Sequence, residues 1–365
     1  MNPELYVGLM SGTSLDGVDA VLADLGGARP NLIGAAYLPF DDPLRRELLG
    51  LNSRGENEIE RAALAGNALA ARYASAVAEV LARSKIPPAD IRAIGCHGQT
   101  VRHRPDRGYT VQIGNAALLA ELTGIRVVAG FRGRDVAAGG QGAPLAPAFH
   151  AAVFADPGED RVAINLGGIA NLTFLPRSGP VTGFDSGPGN CLLDLWAARH
   201  LGKAHDPGGA WAAAGKAIPA LLERLLQEPY FRALPPKSTG RDLFNEGWLR
   251  DLLKGGEEAQ AVQATLLELT ARSVANAVSR HCRGARRLIV CGGGAKNEAL
   301  MRRLAELASP AALKPSDRCG IDPQLVEATA FAWLAKQAIE GRPGNLPSVT
   351  GARGPRVLGT VHPAQ

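Results

Sequence analysis

RVAINLGGIANLTFLPRSGPVTGFDSGPGN, residues Arg161 to Asn190 of a 365-residue chain, is the stretch whose reading decides the fold. Val162, Ile164 and Leu166 alternate with Ala163 and Asn165 up to Gly167-Gly168, and Leu172-Thr173-Phe174-Leu175 resumes an apolar run, which spells two strands joined by a tight turn. Glycines that expose backbone N–H groups between strands form a nest for an anion, so phosphate is the natural guest. A further apolar approach, Val181-Thr182-Gly183-Phe184, delivers Asp185 into Ser186-Gly187-Pro188-Gly189-Asn190, residues too small or too bent to cover it. Asp185 can also be read as the N-cap of a helix over Cys191 to His200. Asn190 stands closer to that helix and can cap it instead, which favours a chemical role for Asp185.

Working outward, the same pattern recurs at the start of the chain. Leu5-Tyr6-Val7-Gly8 is a short strand running into MSGTSLDGVDAVLADL, where Asp16-Gly17 marks a turn and Val18, Ala20 and Leu22 alternate afterwards. Ser11, Gly12, Thr13 and Ser14 can cradle phosphate oxygens, and Asp16 or Asp19 can hold a divalent metal through its water shell. Alone this reads as a surface turn; its recurrence at Val162 to Leu175 points to a duplicated fold. Two more strand ends carry polar or glycine-rich residues: Ile91 to Cys96 opens onto His97-Gly98-Gln99-Thr100, and Arg287 to Cys291 onto Gly292-Gly293-Gly294-Ala295-Lys296-Asn297 before a helix over Glu298 to Leu307. In an α/β setting such ends are placed to touch ligands, and three glycines let a flat ring or a phosphate approach backbone closely. Helices are expected over Ile59 to Leu81, Ala210 to Leu226, Ala261 to Cys282 and Asp322 to Ala338, the last with Glu327 in its first turns. The Gly- and Pro-rich segment from Arg132 to Pro147, with Asp135 and Gln141, reads as a domain junction that also lines a cleft, or as a plain linker. A nucleotide loop at Gly215-Lys216 fails, because Ala210 and Ala217 occupy the positions of its first glycine and its hydroxyl residue.

The composition, 46% apolar and 21% charged, suits a globular chain of about two domains. The net charge of +5 comes from basic residues scattered among acidic ones, with few aromatics for base stacking; small anionic substrates fit better than nucleic acid. Five cysteines form no metal or disulfide pattern. No apolar run reaches the length of a membrane span and no signal peptide opens the chain, so a cytoplasmic protein is expected.

GLMSGTSLDGVDAVLADL, CHGQT, QGAPLAP, NLGGIANLTF, GFDSGPGN and CGGGAKN together resemble the anhydro-N-acetylmuramic acid kinase family of the actin, Hsp70 and sugar-kinase superfamily, over essentially the whole chain. The resemblance implies an α/β fold of two ribonuclease-H-like, actin-like ATPase domains facing each other across a deep cleft, drawn at residues 1–138 and 139–365. It implies ATP and Mg²⁺, with Gly12, Thr13, Ser14, Leu15, Asp16, Gly17, Val18 and Asp19 as the first phosphate loop and Asp16 and Asp19 toward the metal. Asn165, Gly167 and Gly168 would belong to the second loop, and Gly292, Gly293, Gly294 and Asn297 would lie on the adenosine side. Asp185 would be the catalytic base, and His97, Gln99, Thr100, Asp135, Asn171 and Glu327 would meet the sugar. Ser186 stands where Thr is often expected, which keeps the hydroxyl. The implied reaction takes ATP, water and 1,6-anhydro-N-acetylmuramic acid to N-acetylmuramic acid 6-phosphate and ADP in cell-wall recycling, by a homodimer without nucleic-acid or membrane partners. An ordinary sugar-hydroxyl kinase and a non-catalytic nucleotide switch are the alternatives.

Overall fold

In the computed structural model, which describes residues 3–12 and 15–364, the chain separates into two compact units, Met1–Val153 with Leu325–Gln365, and Phe154–Gln324. This differs from a cut between residues 138 and 139. The segment after Ala138 stays with the first unit, and so does the end of the chain.

The first unit contains β1 (Leu5–Met10), β2 (Gly17–Asp24), β3 (Asn31–Pro39), β4 (Ile91–Cys96), β5 (Gln99–Arg104), β6 (Tyr109–Ile113) and β7 (Val127–Ala129). Its main sheet runs β7-β4-β1-β2-β3, closed at the β7 edge by a short strand, Thr360–His362. β1, β2 and β3 form an antiparallel meander, whereas β4 joins β1 and β7 joins β4 in parallel. Gln99 and Thr100, read from the sequence as polar residues at the end of β4, begin a separate two-stranded ribbon of β5 and β6. The helix Glu58–Ser84 buries Leu69, Tyr73, Ala76, Val77 and Val80, the three-to-four spacing of one helical face, into the core under this sheet. On the other side the helix Val326–Ile339 lies against β1 and β4. A Cβ on Gly8 would stand 1.9 Å from the Ala328 carbonyl oxygen, and one on Gly95 1.9 Å from that of Phe331. Glycine at both positions lets helix and sheet meet backbone to backbone, and this ties Leu325–Gln365 to the first unit.

The second unit repeats the plan. Its sheet, β10 (Thr182–Pro188), β9 (Ile169–Leu175), β8 (Arg161–Leu166), β11 (Arg287–Cys291) and β12 (Ala312–Pro315), has the order 3-2-1-4-5 within the unit, as in the first. Again the first three strands are antiparallel and the last two join in parallel. A sheet of this order and polarity, found twice, is the ribonuclease-H-like fold. The helix Ala259–His281 is buried on most of its surface because it is the centre of the core here, packed against the sheet and the helices Cys191–Leu201, Pro219–Leu226 and Glu298–Ala308. One helix expected over Ala210 to Leu226 is two, Ala210–Ala214 and Pro219–Leu226, broken where Gly215 turns extended and Pro219 starts a new first turn.

Among the described residues all five cysteines are free thiols, and no helix is long and apolar enough to cross a membrane.

Candidate active site

The register of the second sheet lines up the polar residues read from the sequence. Asn165 on β8 pairs with Asn171 on β9, and Asn171 pairs with Asp185 on β10. Directly paired residues share a face, and neighbouring strands lie about 4.8 Å apart, so Asn165, Asn171 and Asp185 form one polar row. Beyond Asn165, β11 contributes Cys291 at the same level before the chain leaves into the triple glycine.

Asp185 does not end its strand. β10 continues to Pro188 through a bulge between Asp185 and Gly187, which leaves Ser186 as the extra residue. Bulges of this kind re-aim a side chain and recur beside active sites. Ser186 is buried and donates to the Ala170 carbonyl at 3.1 Å. The Asp185 backbone is fixed on both sides: its N–H donates to the Lys237 carbonyl at 3.1 Å, and its carbonyl accepts the Tyr230 hydroxyl at 2.8 Å. Its carboxylate accepts the Thr239 N–H at 3.0 Å. Burial raises the carboxyl to about 6, opposed by the Thr239 N–H and the positive charge of Lys237. Asp185 caps no helix. Neither does the Asn190 side chain, whose Nδ2 donates to the Leu166 carbonyl at 3.0 Å and so ties the helix start to the hairpin.

At the hairpin turn the carbonyls of Gly167 and Gly168 accept the N–H groups of Gly189, Asn190 and Cys191 at 2.8–3.0 Å. A Cβ on Gly189 would lie 2.3 Å from the Gly167 oxygen, so only glycine permits this clasp. The Arg241 guanidinium approaches the turn, 3.7 Å from where a Cβ on Gly168 would be. The triple glycine divides by position: Gly292 packs on the Asn165 side chain and Gly294 on Leu166, while the Cα of Gly293 faces open space. Asn297 is the N-cap of the helix Glu298–Ala308, its Oδ1 accepting the Leu300 N–H at 3.0 Å. That structural duty accounts for it.

In the first unit, Thr13 and Ser14 lie outside the described residues. Around them, Ser11 is buried, with its hydroxyl 2.8 Å from that of Tyr73, and Gln99 reaches the Gly12 carbonyl through Nε2 at 3.3 Å. Leu15 and Val18 are core side chains, leaving only their backbone for a ligand, and Gly17 packs on the Leu38 carbonyl of β3. Asp16 is exposed at the turn and Asp19 half-buried on β2; both charges act on the Tyr37 phenol, which burial and then their negative charge push upward. Two neighbouring carboxylates are a donor set that suits Mg²⁺, which keeps waters and takes its remaining ligands from phosphate. No group of three or more His, Cys, Asp or Glu side chains is placed to hold a metal among the described residues.

His97 is buried against Phe331, and its Nε2 accepts from the Arg132 guanidinium, 3.0 Å from Nη2. Burial and that positive neighbour lower it to about 3, so the ring is neutral with its proton on Nδ1, an atom without a partner among the described residues. His97 also lines a cavity of about 660 Å³, with Asn67, Gln112 and Asn115. Thr100 accepts from Gln112 at 3.2 Å. Glu327 is exposed at the start of its helix and acts on Arg132 through its charge. Asp135, expected to meet a substrate, is fully buried and committed elsewhere: its oxygens accept from the Gly142 N–H, Asn345 Nδ2 and Thr350 Oγ1 at 2.7, 2.7 and 2.8 Å. It fastens the 139–142 loop to the end of the chain.

Arg132, Tyr230, Lys237, Thr239 and Arg241 were missed by sequence reasoning. For the last three the signal was available in Lys237-Ser238-Thr239-Gly240-Arg241, a small-residue loop flanked by cations.

The family described as anhydro-N-acetylmuramic acid kinase matches the chain over residues 4–364. The anhydro-N-acetylmuramic acid kinase of Nitrosospira multiformis is 54% identical over 366 residues, covering 100% of both chains. That of Thiobacillus denitrificans is 57% identical over 365 residues, covering 99% of this chain and 98% of its own. Among solved structures, component A of the (R)-2-hydroxyglutaryl-CoA dehydratase of Acidaminococcus fermentans matches at 13% identity and a TM-score of 0.48 over 90% of this chain and 96% of that one, too loosely to carry an argument.

Proposed function

We propose, from the premise that the chain belongs to the anhydro-N-acetylmuramic acid kinase family, that it opens the 1,6-anhydro bridge of anhydro-N-acetylmuramic acid with water and phosphorylates O6 from ATP. The observation that carries this reading is Asp185: a half-buried carboxylate in a polar row, raised to about 6 and fixed through its backbone on both sides. A carboxylate so placed is ionised at neutral pH yet basic enough to take a proton from water.

The sugar has no free 6-hydroxyl, so direct transfer from ATP to a hydroxyl at C6 is closed. Water adds to C1, its proton passing to Asp185, while the C1–O bond breaks and its electron pair stays on the bridge oxygen. That oxygen, now on C6, takes the γ-phosphoryl group, and ADP leaves. The products are N-acetylmuramic acid 6-phosphate, ADP and the proton on Asp185. Asn171 beside Asp185 orients the attacking water or the sugar. The Gly167-Gly168 turn with Asn165 and Arg241 holds phosphate oxygens by N–H groups and positive charge, and Gly293 admits the nucleoside. In the first unit the Gly12–Asp19 turn is assigned to phosphate, and His97, Gln99, Thr100 and Glu327 to the sugar, with the neutral His97 Nδ1–H as a donor. Asp16 and Asp19 would hold Mg²⁺, which when bound neutralises charge on the phosphoryl group being transferred. Free thiols suit a cytoplasmic enzyme of cell-wall recycling, and a homodimer is part of the same reading.

The test is Asp185→Asn, which keeps the shape and the acceptor for the Thr239 N–H but removes basicity. General-base help is worth about 10²–10⁴-fold, and kcat should fall by that order with nucleotide and sugar binding kept. A variant retaining more than about a tenth of kcat, a barrier change of roughly 1.4 kcal/mol, would remove Asp185 from the role.

A further inference from the structure

Behind the bulge that carries Asp185, the second unit has a cavity of about 280 Å³ whose wall joins basic and neutral polar groups with Leu226, Phe231 and Ala277. Arg232 and Lys237 reach it from the segment after the helix Pro219–Leu226, and Arg280 and His281 from the last turn of the helix Ala259–His281; Ser186, Ser273 and Asn276 add neutral polar groups. No carboxylate lines it. Arg232 and Arg280 have no ion-pair partner within 4.0 Å among the described residues, although other arginines of this unit, such as Arg161, Arg287 and Arg303, are paired with glutamates; the Lys237 ammonium donates to the Tyr230 carbonyl at 3.0 Å, lies over the Tyr230 ring and feels the Asp185 charge.

Arg232 and Arg280 are exposed to solvent, and Lys237 and His281 are half-buried. Burial and then the positive charge of Arg280 lower the Lys237 ammonium, opposed by the Asp185 charge, and burial with the charges of Lys237 and Arg280 lowers His281. The helix dipole explains cations at the end of Ala259–His281. It does not explain why Arg232 and Lys237 converge on the same cavity from a separate segment. Like charges gathered around a small concave space, with donors and no carboxylate in its lining, describe a receptor for an oxyanion.

We propose that this cavity binds a phosphate group, as inorganic phosphate or as the end of a small phosphomonoester. At about 280 Å³ it is at the lower edge of small-molecule sites, which span roughly 300–1,000 Å³, so it has room for a phosphate with a short attachment and none for a nucleoside triphosphate. Occupancy is felt at Asp185 through the segment that forms both sites: Lys237 lines the cavity with its side chain and accepts the Asp185 N–H with its carbonyl, and Thr239 donates to the Asp185 carboxylate.

The experiment is calorimetric titration of inorganic phosphate into the full-length protein at constant ionic strength, with and without a saturating non-hydrolysable ATP analogue, repeated on Arg280→Gln and Arg232→Gln. Saturable binding of one phosphate per chain is expected, unchanged by the ATP analogue and weakened about tenfold in each variant, the loss of one charge-assisted contact. Without phosphate the variants should melt at the wild-type temperature or above it, since each relieves like-charge repulsion. A sugar 6-phosphate that displaces inorganic phosphate assigns the site to a phosphomonoester; one that does not assigns it to the free anion. Absence of saturable binding, displacement by the ATP analogue, or full affinity in both folded variants would overturn the proposal.

Discussion

Asp185 is set by its surroundings to be ionised at neutral pH but only just so. Desolvation lifts the carboxyl to about 6, and the Thr239 N–H and Lys237 charge hold it from rising further. The working form of a base is the ionised one, so the sign is fixed: kcat/KM should be level above pH of about 7 and fall about tenfold per unit well below 6. A rate profile flat down to pH 4.5 would contradict the assignment. The strand approach in the sequence singled out Asp185, the family resemblance implied Asn165 and Asn171, and the hairpin register sets the three in one row. Sequence reading did not find Thr239, which stands 54 residues away and is brought in by an irregular loop without any periodicity to read. Asp135 shows the converse: a lone carboxylate in a Gly-rich stretch looks like a ligand group, and only the distant Asn345 and Thr350 reveal that it is a fastening.

At the level of elements, both phosphate-type hairpins, the strand into the triple glycine and the helices over Glu58–Ser84 and Ala259–His281 were legible, since each follows from a run of one periodicity ended by turn residues. The bulge in β10 was not, because Ser-Gly-Pro-Gly looks like a turn until pairing with β9 is known. Nor was the closeness of the helix Val326–Ile339 to β4, which depends on a glycine whose partner lies more than 200 residues on. Gly95→Ala tests that contact. The new methyl would stand 1.9 Å from the Phe331 carbonyl, and backbone on both sides limits relaxation. A loss of about 1–3 kcal/mol is expected, at the level typical of overpacked cores, read as a lower denaturant midpoint. An unchanged midpoint would mean that this helix does not press on the sheet as described.

The whole molecule closes its first unit with its last residues. The helix Val326–Ile339 buries Ala328, Phe331, Ala332, Leu334 and Ala335, Thr360–His362 extends the sheet at β7, and Asn345 and Thr350 hold Asp135. Removing Leu325–Gln365 should therefore unfold the first unit, whereas the continuous stretch Phe154–Gln324, with its own sheet and core, should fold by itself; circular dichroism and amide dispersion of the two fragments would show it. A stably folded fragment ending at Val153 would refute this division. The central claim, that water opens the bridge while the released oxygen takes the phosphoryl group, is tested most directly by running the reaction in ¹⁸O-labelled water and reducing the product at once to stop exchange at the anomeric carbon. The expected result is label on the C1 oxygen and none in the phosphate. Label in the phosphate would mean that water attacked phosphorus, and an unlabelled product would mean transfer to a pre-existing hydroxyl; either result would contradict the proposed reaction.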